Sequence, residues 1–486
     1  MNMNTTSTNS NLLRMSYFSK EQVNKIHSNA LDILQTHGFQ VEHDAACEIL
    51  QQHGAEVDYK TKMVKVSPEL VDKCIKAAAK EFVMGARNSA RDITLKSNPA
   101  LPITRNGGGV DKIIDIESGK LRNMNQADTE KLFRALDAID CINMVAPLYP
   151  NDIPEKYRDV SVLETLFLNT SKHVNIRTFS KKNLDLLVEM GLAMAGGKEN
   201  FRKRPLFSLF DSPISPLKFP ELTVDVFLTA GKFGIPLFIA TLPIAGATGP
   251  YPMAGMVQLL HAELLAGTVI CQCANPGAPI ILHPLAMNMD FHTMLALSGS
   301  IESTMITAAA IQVANETTNL PLDVHGPWSD TYIADSQSML ERTFQALFPA
   351  LSGTAIIAGF GDVQEGLAFC PIQLSIDEEL IAYTMKALKG IPFDDDRLAK
   401  EAIKRVSING DYMTEKSTVK YLRSDYINSK IMNRLTRDEW ERQGSRDINS
   451  RAKERIQKLM NTPTALELDS KLKAELRSIV KRAQEQ

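Results

Sequence analysis

Aromatic side chains are scarce in this chain: Phe, Trp and Tyr make up 6% of its 486 residues, and only two are Trp. Charge of one sign is also lacking. Fifty-four Lys and Arg against 57 Asp and Glu leave a formal net charge of −3. That near-balance gives no electrostatic reason to expect nucleic acid or an anionic membrane as partner. No apolar run reaches the roughly 18 uninterrupted residues of a membrane span. The opening MNMNTTSTNSNLLRMSYFSKEQ is polar and lacks the basic-then-apolar order of a secretion signal, so the cytoplasm is the expected location. The six cysteines (Cys47, Cys74, Cys141, Cys271, Cys273 and Cys370) are scattered through apolar context, as reduced core thiols are. Cys271 and Cys273 form a C-x-C pair, but in a helix-like run, where residues two apart point away from each other. The run Arg105-Asn106-Gly107-Gly108-Gly109 lacks the Lys-Ser/Thr of a nucleotide P-loop and the spacing of a dinucleotide fingerprint. It reads as a backbone anion cradle or as a bare turn.

What the chain does have is the composition of a soluble globular protein, 44% hydrophobic and 23% charged, and a rhythm. Seven short apolar runs recur, and most end on a residue capable of chemistry. INMVAPLY ends on Tyr149, HVNIR on Arg177 and LFSLFD on Asp211; PLFIATLP runs into a Gly-rich turn. PIILHP places His283, LPLDVHGPW places His325 and Trp328, and TAIIAGF places Phe360. Bulky runs of this length suit strands buried on both faces. Helix-length amphipathic stretches separate them, at 127–139, 159–170, 181–196, 217–233, 253–274, 300–316, 335–351 and 376–389. The expected fold is α/β, a (β/α)8 TIM-like barrel whose eighth strand comes from around 101–110. A doubly wound open sheet is the competitor. It would use one switch point in the strand order, whereas chemistry spread over nearly every strand end favours the barrel.

Three regions are expected. Residues 1–130 form a helical and β-rich N-terminal extension that packs on the barrel or lends it a strand; residues 131–390 form the catalytic body; residues 391–486 form a charged helical C-terminal region. In the extension, Ser19 and Ser67 stand where helix N-caps belong, and DKIIDIESGKL reads as a hairpin turning at Ser118-Gly119. The charged C-terminal helices suit a cover over the barrel or a contact between subunits, so a homo-oligomer is a possible assembly.

His283 and His325 end different strands, and Asp323 shares a strand face with His325 because side chains alternate. His292 is also near the expected site, and Asp211 or Asp323 could join the histidines around a metal, but no tight ligand motif accompanies them, and hydrogen-bonding or anion-binding roles are preferred. Aromatics cluster just beyond strand ends (Tyr251, Phe291, Trp328, Tyr332, Phe360), with Asp290, Glu302 and Asp330 nearby. Ring faces beside carboxylates suit a quaternary ammonium ligand, with core packing as the alternative.

Several long strings then carry a resemblance: NGGGVDKIIDIESGKLR (106–122), SPISPL (212–217), TLPIAGATGPYPMAGMVQLLHAELLAG (241–267), NPGAPII (275–281) and SGSIESTMITAAAIQ (298–312). They resemble the trimethylamine methyltransferase family over roughly residues 20–390. The resemblance implies a β/α barrel that moves a methyl group from a methylated amine to the cobalt of a corrinoid carried by a separate protein, with no tightly bound cofactor of its own. The founding branch carries pyrrolysine, whereas this sequence shows only standard residues. That is similar to the branch acting on glycine betaine, proline betaine, carnitine and butyrobetaine. A quaternary ammonium leaves as a neutral amine once demethylated, so no general acid, metal or covalent adduct is required, and orientation and desolvation carry the chemistry. A betaine also needs a donor for its carboxylate. His325, His283, Arg177 and Arg105 are the candidates, with His325 favoured; Trp328, Phe360 and Tyr251 are expected near the ammonium, and Asp290 or Glu302 as a more distant field. A binding protein for methylated amines that has lost transfer is the alternative from another class.

Overall fold

Eight parallel strands close on themselves in the computed structural model, which describes residues 13–406, 408–463 and 466–485. They are β1 (Ile103–Asn106), β2 (Met144–Val145), β3 (His173–Ile176), β4 (Phe207–Asp211), β5 (Leu237–Thr241), β6 (Ile280–Pro284), β7 (Asp323–His325) and β8 (Ile356–Phe360). Their order is β6-β5-β4-β3-β2-β1-β8-β7. The ends meet where Leu282 bridges Leu322 and the Leu282 amide donates to the Pro321 carbonyl at 3.0 Å. An open doubly wound sheet has no such closing pair, so the fold is a barrel. β1 is the strand anticipated near 101–110, and it lies between β8 and β2.

One helix follows each strand: α1 (Gln126–Ala138), α2 (Glu155–Asn169), α3 (Lys181–Ala195), α4 (Glu221–Phe233), α5 (Met253–Ala274), α6 (Ile301–Thr318), α7 (Ser336–Leu351) and α8 (Pro371–Lys389). Three starts differ from the sequence expectation by four or five residues, and proline explains each. Pro154 and Pro220 are the N-caps of α2 and α4, and Pro371 opens α8. A fixed φ and a missing N–H suit a first helical turn, where that N–H would have no partner. α5 is long and apolar enough to cross a membrane by composition, yet 78% of its apolar window is buried within the protein. Strands β5 and β6 cover one side; the helices Lys20–Thr36, Asp44–Gln52 and Pro68–Ala77 of the N-terminal region cover the other. A helix covered on both sides is apolar all round.

The amino-terminal end of the barrel is plugged. The hairpin Glu81–Met84/Ile93–Lys96 inserts Met84, Ile93 and Leu95 against Met144, Phe238, Ile281 and Ile356 from the strands. His173 ties the plug down: Nδ1 donates to the Gly85 carbonyl at 2.8 Å, so Nε2 accepts from the Ser208 hydroxyl at 3.0 Å. With that end filled, a ligand enters from the carboxyl-terminal end.

The charged C-terminal region wraps the barrel. α9 (Ile448–Met460) packs on α8 and α1, and α10 (Ser470–Glu485) packs on α2 and α3. Each buries one narrow stripe, Ala452, Ile456 and Met460 in α9 and Leu476, Ile479, Val480 and Ala483 in α10, which is how a mostly charged helix docks on a protein surface. Buried Glu378 of α8 pairs with Lys430 and Arg455 from this region.

Candidate active site

A cavity of about 310 Å³ opens at the carboxyl-terminal ends of the strands. Side chains two apart on β7 face inward together, which brings Asp323 and His325 to the same interior. Asp323 is fully buried at the cavity floor. One carboxylate oxygen, Oδ2, accepts from Arg105 Nη2 at 3.0 Å and from His283 Nδ1 at 2.7 Å. Burial pushes the Asp323 carboxyl up, but Arg105 and His283 outweigh it and hold the group below its usual range, as a carboxylate. The Arg105 guanidinium lies over the ring of Phe238 from β5 at 5.7 Å, a ring that the plug packs against in turn.

His325 has a different partner. Its Nε2 lies 3.1 Å from Asp362 Oδ2. Burial pushes Asp362 well above the usual carboxylate range, a rise that Arg342 and Arg105 only partly oppose. Burial, with help from Arg105 and His283, pulls His325 well below the usual imidazole range. Both shifts favour the neutral form of each group. In those forms the Asp362 carboxyl donates to Nε2 and the ring hydrogen is on Nδ1 of His325, a residue that lines the cavity. Gly107 backs this carboxyl so closely that a Cβ there would overlap it. Behind it, Arg342 and Asp377 form a fully buried pair at 2.5 Å. Arg342 also donates to the Asp362 carbonyl at 2.5 Å, and Asp377 accepts from the Gly361 amide at 2.7 Å. A buried pair with its hydrogen bonds filled in this way fixes the turn that carries Asp362.

Aromatic rings form the walls. Trp328 packs against His325 with ring centroids 4.4 Å apart and the planes tilted by 53°. Gln345 clamps its backbone, accepting from the Trp328 amide at 3.0 Å and donating to its carbonyl at 3.1 Å. Gly359 and Gly366, both with positive φ, leave room for this contact: a Cβ at Gly359 would sit 2.9 Å from His325 Cδ2, and one at Gly366 3.0 Å from the indole. Opposite, Tyr149 and Phe179 pack at 5.1 Å, and Phe210 meets His283 edge-on at 5.2 Å. Arg177 stands at the rim with its side chain 50% exposed, 3.7 Å from Asp211.

Of the residues singled out from the sequence, His325, His283, Trp328 and Arg177 line this cavity, together with Arg105. Four others do not. Phe360 is in the core between barrel and helices. Strict alternation along β8 puts it inside with Ile356, but a bulge between Ile357 and Phe360 shifts the register and turns the ring outward. Tyr251 is exposed on the outer rim, edge-on to Phe291 at 5.4 Å. Asp290 folds back on its own turn, accepting from the Thr293 hydroxyl at 2.7 Å and the His292 amide at 3.0 Å. Glu302 is exposed in the first turn of α6, where a carboxylate favours the helix dipole. The most informative omission is Asp362, whose signal was Gly359 and Gly361 bracketing the end of β8, since glycine inside a strand marks a bulge. Among the described residues, no group of three or more His, Cys, Asp or Glu side chains has metal-binding geometry; His283 and His325 each face their own aspartate instead of one point.

A plugged barrel with a polar floor and aromatic walls at its open end is a β/α-barrel protein built around a small-molecule pocket. The comparisons give the family. The sequence pattern described as trimethylamine methyltransferase (MTTB) matches residues 1–486, and the chain belongs to that methyltransferase family. It is 33% identical over 470 residues to trimethylamine methyltransferase MttB of Desulfitobacterium hafniense (strain DSM 10664 / DCB-2), covering 96% of this chain and 94% of that protein. It is 26% identical over 470 residues to a glycine betaine methyltransferase of D. hafniense (strain Y51), covering 95% and 97%. The crystal structure of the Methanosarcina barkeri monomethylamine methyltransferase shares the fold, with a TM-score of 0.54 at 13% identity over 92% of this chain and 89% of that one.

Proposed function

We propose that this protein transfers a methyl group from a quaternary amine, glycine betaine first, to the cobalt(I) of a corrinoid protein, releasing dimethylglycine. The observation that carries this reading is the charge pattern of the cavity. Two arginines, Arg105 and Arg177, line it beside aromatic rings; each has an aspartate beside it, Asp323 at 3.0 Å and Asp211 at 3.7 Å, but Arg105 keeps a buried Nε with no hydrogen-bond partner. A trimethylammonium ion alone would leave the unpartnered N–H groups of Arg105 unmatched. A zwitterion brings a carboxylate for the cations and a quaternary head for the ring faces.

The chemistry fits a chain of standard residues. The carbon–nitrogen bond breaks with its electron pair staying on nitrogen, and the acceptor metal supplies the pair for the new carbon–metal bond. The departing amine is neutral, so no side chain has to protonate it. What the protein contributes is orientation and exclusion of water. The acceptor, a substrate borne by its own protein, needs a broad landing surface. Ile214, Leu242, Phe291, Met294, Tyr332 and Leu367, in the segments following β4 to β8, are all exposed large hydrophobics, the surface character of a docking site.

The test is direct. The full-length protein is mixed with a corrinoid protein reduced to cobalt(I) and with glycine betaine, and the spectrum is followed for methyl-cobalt alongside assay of dimethylglycine. Formation of both in equal amounts supports the reading. Binding of glycine betaine with no spectral change identifies a methylated-amine-binding protein instead.

A further inference from the structure

We infer that the betaine binds head-up, with its carboxylate held by the Arg105 guanidinium at the cavity floor and its quaternary nitrogen between the aromatic walls at the mouth. The inference rests on the methyl-transfer reading above and adds the polarity of the bound substrate.

Three observations carry it. Depth is the first. The cavity has two cations at opposite ends of its axis: Arg105 is 2% exposed, whereas the Arg177 side chain is half exposed. Water and salt screen an ion pair at the rim, whereas one at the floor is screened far less. The second is preorganisation. Arg105 is braced by Nη2 on Asp323 at 3.0 Å and by the Phe238 ring beneath it. Asp323 divides a single oxygen between Arg105 and His283, and Arg105 Nη1 has no protein partner among the described residues. A fixed, half-satisfied guanidinium in a buried site is a carboxylate receptor. His325 lines the same cavity, and with Asp362 on Nε2 its Nδ1 has no protein partner among the described residues.

The third is the geometry of transfer. The amino-terminal end is filled by Met84, Ile93 and Leu95, so a methyl acceptor approaches only from the mouth. The reacting methyl must point that way, which puts the quaternary nitrogen high and the carboxylate low. Trp328, Tyr149 and Phe179 line the cavity, and Trp328 and Phe179 are only partly covered, so the ring faces stand where the cationic head would be. Specificity follows: quaternary amines without a carboxylate leave Arg105 desolvated and unmatched, so carboxylates are selected at the floor and not at the rim.

The experiment measures binding of glycine betaine and of choline, which keeps the quaternary head and has no carboxylate, to the full-length protein by calorimetry. Because Arg105→Met alone strands a buried Asp323 charge, it is paired with the double variant Arg105→Met/Asp323→Asn, which removes both charges together. The wild type is expected to prefer glycine betaine over choline by about 10- to 150-fold, the range for a hydrogen bond to a charged group. The double variant is expected to lose that preference while keeping its affinity for choline, and Arg177→Gln to lose much less. A double variant that keeps the preference, or an Arg177→Gln variant that abolishes it, overturns the inference. The two readings fail separately. Wild-type protein that turns over glycine betaine while the double variant still selects the carboxylate rejects only the head-up orientation; wild-type protein that selects glycine betaine through Arg105 but never methylates cobalt rejects only the transfer.

Discussion

His325 Nε2 lies 3.1 Å from Asp362 Oδ2, and burial pushes both toward their neutral forms, raising the carboxyl and lowering the imidazole. The pair therefore works as a neutral relay of orientation, in which the acid donates to one ring nitrogen so that the other presents a hydrogen to the cavity. Asp362→Asn preserves that donor with an amide N–H. It is expected to keep kcat/KM within about threefold, whereas Asp362→Ala, which leaves Nε2 without a partner, is expected to lose about 1–3 kcal/mol of transition-state stabilisation. Steady-state kinetics on both variants checks this. A collapse in Asp362→Asn equal to that in the alanine variant would mean that the acid is ionised and acts as a charge.

Trp328 and Phe360 are both aromatic residues at the ends of neighbouring strands, and the structure gives them opposite jobs. Trp328 lines the cavity and packs at a tilt against His325. Removing its ring in Trp328→Ala is expected to weaken quaternary amine binding by about 0.5–2 kcal/mol, the range of a cation–π contact, seen as a higher KM.

Phe360 belongs to the packed core. Phe360→Ala is expected to cost about 3–5 kcal/mol of folding stability with an unchanged KM in the protein that remains folded. Denaturant unfolding together with kinetics on the two variants separates the roles. A raised KM in Phe360→Ala would return that ring to the site.

That pair also shows what the sequence makes legible. Strand and helix order follows from hydrophobic runs and their spacing, so the barrel, its eight helices and even β1 are readable before any coordinates. Residues that alternate regularly along a short strand are readable too, as with Asp323 and His325. Reading fails where local backbone departs from regular geometry. One bulge between Ile357 and Phe360 moves Phe360 out and brings Asp362 against His325. It also fails for residues in the segments that follow the barrel strands. Tyr251, Asp290 and Glu302 are close in sequence to the barrel mouth, but the loop and helix that carry them hold them outside it. Arg105 is legible as a candidate, but not its depth, which depends on a salt bridge to a residue 218 positions away.

Glu263 of α5 gives a pH signature independent of the cavity. It accepts from the Leu217 amide at 2.9 Å and the Ser215 hydroxyl at 3.0 Å. Burial nevertheless pushes its carboxyl up to about 7, against those two hydrogen bonds. The folded state holds this proton more tightly than the unfolded chain does. The resulting stability is fully present below the ordinary value of 4.5 and is lost as pH rises through about 7. Between pH 5 and pH 8 the wild type is expected to lose about 3 kcal/mol relative to Glu263→Gln, which has no proton to release. Denaturant melts of both proteins at the two pH values check this, and parallel pH profiles would contradict it.

The central claim is that a donor nitrogen already bearing a fixed positive charge lets this cavity give up a methyl group without pyrrolysine. The most direct measurement is the initial rate of cobalt(I) methylation with glycine betaine against that with trimethylamine, at equal concentrations and with the same corrinoid protein. The account predicts rapid methyl-cobalt formation from glycine betaine and none above background from trimethylamine. Trimethylamine serving as the better donor would contradict it.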